Sequence, residues 1–386
     1  MKKRFRFPIA VLLICHLFAF CSVFASASTG LEEQALPVVA SVSAQSYLLM
    51  DAQTGEVLSQ SHADTKLPMA STTKIMTCLV ALEEGELSDE VVIPQEAVGI
   101  EGSSIYLTRG EELTLSDLLY GLMLESANDA AVAIALHISG SVDSFAEKMN
   151  EKASQLGMTN THFCNPNGLQ AEEHYSTARD LSVLMAYCMQ NPVFAEMTAT
   201  QTKNIPAPGG KSRYLSNHNR LLRSYEDCIG GKTGYTKTAG RCLVSAAHRD
   251  GKTLICTTLG APDDWNDHKN LYRYGFSLYH TEILCEKGSI CGTLPLVGGE
   301  QSEIAYSCSE ALSISLREGQ AVTHDIELPH FVYAPTRAGD YFGDAVFYLD
   351  EKELVRIPLV CEQDAPQKEV KLSFWQKLWN TIQSWF

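Results

Sequence analysis

With 386 residues, 45% of them hydrophobic and 20% charged, the chain has room for two globular domains and the composition of a protein that buries a core. It contains no low-complexity tract or internal repeat, which sets aside fibrous and solenoid architectures. A formal net charge of −16 argues against nucleic acid as a partner. Residues 1–27 begin with Lys2, Lys3, Arg4 and Arg6, continue as a short apolar stretch and end on Ala25-Ser26-Ala27. That pattern predicts a cleaved export signal, because the apolar stretch is too short for a good spanning anchor. Its removal takes the net charge to −20.

Of twelve cysteines, Cys15 and Cys21 leave with the signal, and the other ten are scattered, mostly inside apolar runs. They read as buried small hydrophobes. Cys285 and Cys291 stand close enough in sequence to pair across a short loop, a question the sequence leaves open. No His/Cys spacing suggests zinc, and no cofactor is expected.

In chain order, "SYLLMDAQTGEVLSQ" predicts strand, turn and strand. A helix begins near Ser71. "LTLSDLLYGLMLESANDAAVAIALHI" has apolar residues at helical spacing, with a cap expected at Ser116, and the polar "ESAND" breaks it into two helices. "VDSFAEKMNEKASQLG" is a further amphipathic helix closed by Gly157. Residues 229–260 turn β-rich around the hairpin signal Asp250-Gly251, and "WNDHKNLYRYGFSLY" returns to helical periodicity. Strands at both ends with helices between them predict one α/β domain, residues 36–282, built on an antiparallel sheet.

Residues 283–362 show short alternating runs separated by Gly, Asp and Pro, the pattern of a small all-β, sandwich-like domain. Residues 363–370 are linker-like. The stretch 371–386 places Leu372, Trp375, Leu378, Trp379, Ile382, Trp385 and Phe386 largely on one side of a helix, with three of the chain's four tryptophans. It is too short and polar to span a bilayer and predicts a helix lying in a membrane surface.

Three short patterns carry chemistry. Ser71 and Lys74 are one helical turn apart, so the amine can reach the hydroxyl. A serine needs a base to become a nucleophile, and a lysine serves if burial and nearby positive charge lower its pKa. Each of the other two, "SAN" at Ser126–Asn128 and "KTG" at Lys232–Gly234, is weak alone. Together SxxK, SxN and KTG, each present once and in that order, form a trio known from penicillin-binding proteins and class A β-lactamases.

With "LLYGLMLESANDAA", "NPNGL", "HYSTARDL" and "IGGKTGYTKTAGRCLVSAA", the chain resembles the low-molecular-mass D-alanyl-D-alanine carboxypeptidases among the penicillin-binding proteins. The resemblance implies a β-lactamase/transpeptidase-like domain followed by a β domain and an amphipathic anchor. It implies Ser71 as nucleophile, Lys74 as base and Ser126 as proton relay. Asn128 would bind the substrate peptide, Lys232 would supply charge, and Thr233 would hold the terminal carboxylate. Gly234 belongs to the same motif, and the N–H groups of Ser71 and Tyr235 would form an oxyanion hole. Whether Tyr235 or His218 assists Thr233 is left open, and structural roles are expected for Asp129, His174 and Arg179.

The implied substrates are peptidoglycan stem peptides ending in D-Ala-D-Ala, with β-lactams as covalent inhibitors. The implied site of action is the outer face of the cytoplasmic membrane, reached by export and held by the C-terminal helix. Two alternatives are a β-lactamase and a non-catalytic wall-binding module. The tail and second domain count against the first, and the intact trio counts against the second.

Overall fold

A computed structural model describes residues 41–369 together with Trp375, Trp379, Asn380 and Gln383. The expected signal at 1–27 lies outside the described residues, as does most of the expected anchor at 371–386.

The hairpin of β1 (Ser46–Asp51) and β2 (Val57–Ser61) leads into α1 (Lys74–Glu84), then β3 (Glu90–Val92) and β4 (Glu112–Thr114). Helices α2 (Leu115–Leu124), α3 (Asn128–Ser139), α4 (Val142–Gln155), α5 (Ala178–Cys188) and α6 (Pro192–Ala199) follow. After the hairpin β5 (Thr202–Ala207) and β6 (Lys211–Ser216) come the short α7 (Leu221–Ser224), the meander β7 (Cys228–Thr236), β8 (Gly240–Arg249) and β9 (Lys252–Leu259), and α8 (Asp264–Ser277). The main sheet runs β2-β1-β9-β8-β7, antiparallel throughout, so the first hairpin closes onto the meander.

Both faces of this sheet are covered. Leu48, Met50, Val244, Ala246 and Ile255 face the large helical core, while Leu49, Ala247, Leu254 and Cys256 pack under Leu271, Tyr272 and Phe276 of α8. Strands buried on two sides need no polar alternation, which explains the unbroken apolar stretches of the meander. Helix α2 is capped by Thr114, whose Oγ1 accepts the Asp117 amide. The cap therefore precedes the expected Ser116, because the threonine hydroxyl, not the serine, reaches the first free amide.

The C-terminal region is built of strands, as expected. β10 (Tyr279–Cys285) pairs with β13 (Leu312–Arg317). A second sheet uses β11 (Ile290–Val297), β12 (Glu303–Cys308), β14 (Val322–Glu327), β15 (Val332–Tyr333), β16 (Tyr341–Leu349) and β17 (Lys352–Cys361), in the order β14-β16-β17-β12-β11-β15. Leu296, Ile304, Phe347, Ile357 and Leu359 make its own core. The β10–β13 pair carries the contacts to the first sheet, at two turns: Tyr279 Oη donates to Asp51 Oδ2 at 3.1 Å, Ser315 Oγ to the Asp250 carbonyl at 2.5 Å, and Arg317 pairs with Glu56.

Part of the segment read as a linker is docked instead. Ala365 is 1% exposed and bridges Thr336, Gln367 bridges Gly299, and the Lys368 amide donates to the Gly298 carbonyl. These are backbone pairings, to which a polar composition is blind. Among the described residues no helix is long and apolar enough to cross a membrane.

Candidate active site

Ser71 stands on a single 3-10 turn, Ala70–Thr73, that enters α1. Ala70 has φ +48°, a left-handed conformation that an alanine adopts only under constraint. The constraint is a buried hydrogen-bond chain. Thr73 Oγ1 donates to the Ala70 carbonyl at 2.8 Å and lies 2.8 Å from His174 Nε2, while the Cys164 amide donates to His174 Nδ1 at 2.9 Å. Since Nδ1 accepts, the ring proton sits on Nε2 and points at Thr73. Burial, then the charges of His162 and Lys74, lower the His174 pKa to about 4 and keep it neutral.

Lys74 is fully buried, and its Nζ is 3.1 Å from Ser71 Oγ, 2.7 Å from Asn128 Oδ1 and 2.5 Å from the Asn167 carbonyl. Two of these three neighbours are carbonyl oxygens, which only accept. A neutral amine gives its two hydrogens to them and has one lone pair left. That lone pair faces Ser71, the single neighbour with a proton to give. Burial first and the Lys232 charge second push the Lys74 pKa well down, against the opposing charge of Asp129.

Ser126 occupies the break between α2 and α3, and Asn128 is the first residue of α3. Ser126 has φ +60°, is 4% exposed, and its Oγ has no hydrogen-bond partner among the described residues. A buried unpaired hydroxyl costs about 1–3 kcal/mol, a cost met where a reacting group is later to be served. Asn128 is held at both ends, accepting from Lys74 and donating from Nδ2 to the Glu101 carbonyl at 2.5 Å. The loop after Glu101 is itself braced. Asp129 accepts from Ser104 Oγ at 2.6 Å and from the amides of Ile105 and Leu107 at 3.2 and 3.0 Å. Arg213 pairs with Glu111 and donates to the Tyr106 carbonyl at 3.2 Å.

The third segment is β7, an edge strand of the main sheet. Lys232 is 1% exposed, and its Nζ donates to the Thr233 carbonyl at 3.1 Å. Burial brings its pKa to about 7, opposed by Glu125. A Cβ at Gly234 would lie 2.9 Å from the Ser71 nitrogen and 3.0 Å from the Met69 carbonyl. Glycine at 234 therefore allows the strand to press against the serine turn, bringing the Tyr235 backbone near Ser71. The Tyr235 side chain is largely exposed.

Ser71, Lys74 and Asn128 thus share one hydrogen-bonded chain, Gly234 abuts it, and Lys232 acts on Lys74 through its charge. Sequence reasoning missed the carbonyls of Asn167 and Glu101, which any residue type supplies. It also missed Glu125, whose carboxylate accepts the Ser216 amide at 2.6 Å and lies 3.2 Å from His218 Nε2. Its position in "ESAND" was the available signal. Asp129, His174 and Arg179 brace the structure, the last by pairing with Asp64 and Gln60. Among the described residues no group of three or more His, Cys, Asp or Glu is arranged to hold a metal.

A family model described as D-alanyl-D-alanine carboxypeptidase matches residues 32–263, more than half of the chain. The chain belongs to this family. A second model, for the C-terminal domain of penicillin-binding protein 5, matches residues 279–367. Among curated relatives, the D-alanyl-D-alanine carboxypeptidase DacF of Bacillus subtilis is 34% identical over 83% of this chain and 85% of its own length. DacC of Escherichia coli is 31% identical over 95% of each. Among solved structures, penicillin-binding protein 5 of Haemophilus influenzae has a TM-score of 0.60 at 29% identity, covering 86% of this chain and 99% of that one. A D-alanyl-D-alanine carboxypeptidase from Mycobacterium tuberculosis has a TM-score of 0.61 at 35% identity, covering 64% and 96%.

Proposed function

We propose that the chain is a serine-type carboxypeptidase that removes the terminal D-alanine from peptidoglycan stem pentapeptides. Ser71 Oγ attacks the carbonyl carbon of the penultimate D-alanine while its proton passes to Lys74. The Ser71 and Tyr235 amides receive the oxyanion. As the tetrahedral adduct collapses, the peptide C–N bond breaks, and Ser126 relays a proton to the departing D-alanine amine. Water then hydrolyses the Ser71 ester. Lys232 and Thr233 hold the substrate's carboxylate, with Gly234 letting the strand approach. Asn128 contacts the substrate peptide by exchanging its bond to Glu101. β-Lactams acylate Ser71 because their amide imitates the same dipeptide end.

The observation that carries this reading is the Lys74 neighbourhood, in which two obligate acceptors leave a lone pair for the serine. The test is mass spectrometry of a D-Ala-D-Ala peptide incubated with the mature protein. Loss of one alanine supports the reading, and an unchanged peptide refutes it.

We further propose that residues 1–27 are an export signal, that the catalytic domain expected at 36–282 ends with α8 because β10, from Tyr279, pairs with β13 of the second domain expected at 283–362, and that 371–386 lie on the outer face of the cytoplasmic membrane. The described residues of that last stretch are helical, and Trp375 and Trp379 are 74% and 63% exposed, which supports an interfacial helix. Flotation of the full chain with phospholipid vesicles tests it.

A further inference from the structure

The turn 285–291, "CEKGSIC", has a cysteine at each end and folds over the end of β12, where the Gly288 amide donates to the Cys308 carbonyl at 2.9 Å. Its two arms therefore flank Cys308. The Cys291 and Cys308 sulfurs are 3.4 Å apart, in van der Waals contact, at a register bulge between Ile290 and Gly292. Cys285 is near enough to Cys308 to add to the burial that raises the Cys308 thiol pKa. Cys308 is buried, whereas Cys285 and Cys291 are partly exposed. Cys78, Cys188, Cys242 and Cys256 are all buried, out of reach of a dissolved reagent.

We propose that Cys291 and Cys308 form a disulfide on meeting a disulfide-bearing oxidant, making this corner of the β domain a thiol–disulfide exchange site unrelated to the catalytic centre. The Cys291 thiolate attacks R–S–S–R, forming Cys291–S–S–R and releasing RS⁻. Cys308 then loses its proton and attacks the Cys291 sulfur, expelling the second RS⁻. Two electrons pass from the protein thiols to the oxidant, which leaves as two thiols. Cys291 is the point of entry because Cys308 is shielded. The bond staples β11 to β12, and the turn between those strands, at Gly298 and Gly299, holds Lys368 and Gln367, where the docked C-terminal segment ends.

The experiment treats the full chain with oxidised glutathione, blocks remaining thiols and maps peptides by mass spectrometry. The expected result is a 291–308 cross-link with the loss of two hydrogens. The cross-link is absent in Cys291→Ser, persists in Cys285→Ser, and leaves D-alanine release unchanged. Cys291→Ser is preferred to a change at Cys308 because its site is partly exposed and tolerant. A 285–291 or 285–308 bond, a glutathione adduct lasting on Cys291, or continued blocking of both Cys291 and Cys308 overturns the proposal. The map does not depend on peptidase activity, so an inactive protein with the cross-link would refute the catalytic reading alone.

Discussion

A Cβ on Gly168 would lie 2.0 Å from the Ala70 carbonyl oxygen and 3.0 Å from the Ser71 nitrogen. Gly168 has φ +86°, so both its backbone and its missing side chain are required where "NPNGL" crosses behind the serine turn. The same strand of chain gives Lys74 the Asn167 carbonyl and receives Thr77 Oγ1 on the Pro166 carbonyl at 2.6 Å. Gly168→Ala is expected to push the turn by about an ångström and slow acylation by labelled penicillin on the order of a hundredfold. Circular dichroism is expected to stay native. Unchanged acylation would show that the turn is not held from behind.

Ser71→Ala is expected to abolish both D-alanine release and penicillin labelling with the fold intact. Lys74→Arg tests the base alone. It keeps a long nitrogen-bearing side chain but puts a permanently charged guanidinium, with no lone pair to offer, where the neutral amine stood, so acylation is expected to fall about 10²–10⁴-fold. Residual labelling of the serine variant would point to another nucleophile.

The two lysines set the pH profile. Lys74 must be neutral to accept a proton, and Lys232, with its pKa near 7, must be charged to receive a carboxylate. For free enzyme, kcat/KM is therefore expected to fall above about pH 7, while kcat holds to higher pH because a bound carboxylate restores the Lys232 proton. Lys232→Arg should move that limb to higher pH at a lower maximum. A flat kcat/KM from pH 7 to 9 would contradict the assignment.

Acid stability depends on two buried imidazoles. His174 is lowered to about 4 and His268, between Ser245 Oγ at 2.7 Å and Thr258 Oγ1 at 3.0 Å, to about 3, both chiefly by burial. The unfolded chain takes up these protons near pH 6.5, the native state only at about 4 and 3. Stability from this source is complete above 6.5 and is lost as pH falls below it. Each group is expected to cost roughly 2 kcal/mol between pH 7 and 5, measurable by urea unfolding. His268→Gln should flatten the slope by about half.

Truncation for solubility should respect the docked segment. A chain ending after Glu369 keeps Ala365 and Gln367 in place, and it is expected to leave vesicles while retaining activity. Continued vesicle binding would remove the anchoring role from the tail.

Much of this was legible in the sequence. Helix and strand periods gave the antiparallel sheet and the helices around "ESAND", and the spacing of Ser71 and Lys74 gave their proximity. What stayed hidden was backbone work. The carbonyls of Asn167 and Glu101 leave no mark on residue type, and the docking of residues 365–368 uses main-chain pairs beneath a polar composition. Cys308 comes within 3.4 Å of Cys291, a neighbour that spacing along the chain does not suggest, because the turn wraps around a third strand that lies later in the chain.

The β domain grips Asp51, Glu56 and Asp250, at the turns of β1–β2 and β8–β9. Lys232 pairs with Val244, six residues along β8 from Asp250, or roughly 20 Å of extended strand. Reach and reactivity are therefore adjustable apart from each other: a longer or differently shaped pedestal bolted to those turns would raise or lower the cleft without disturbing a single proton inside it.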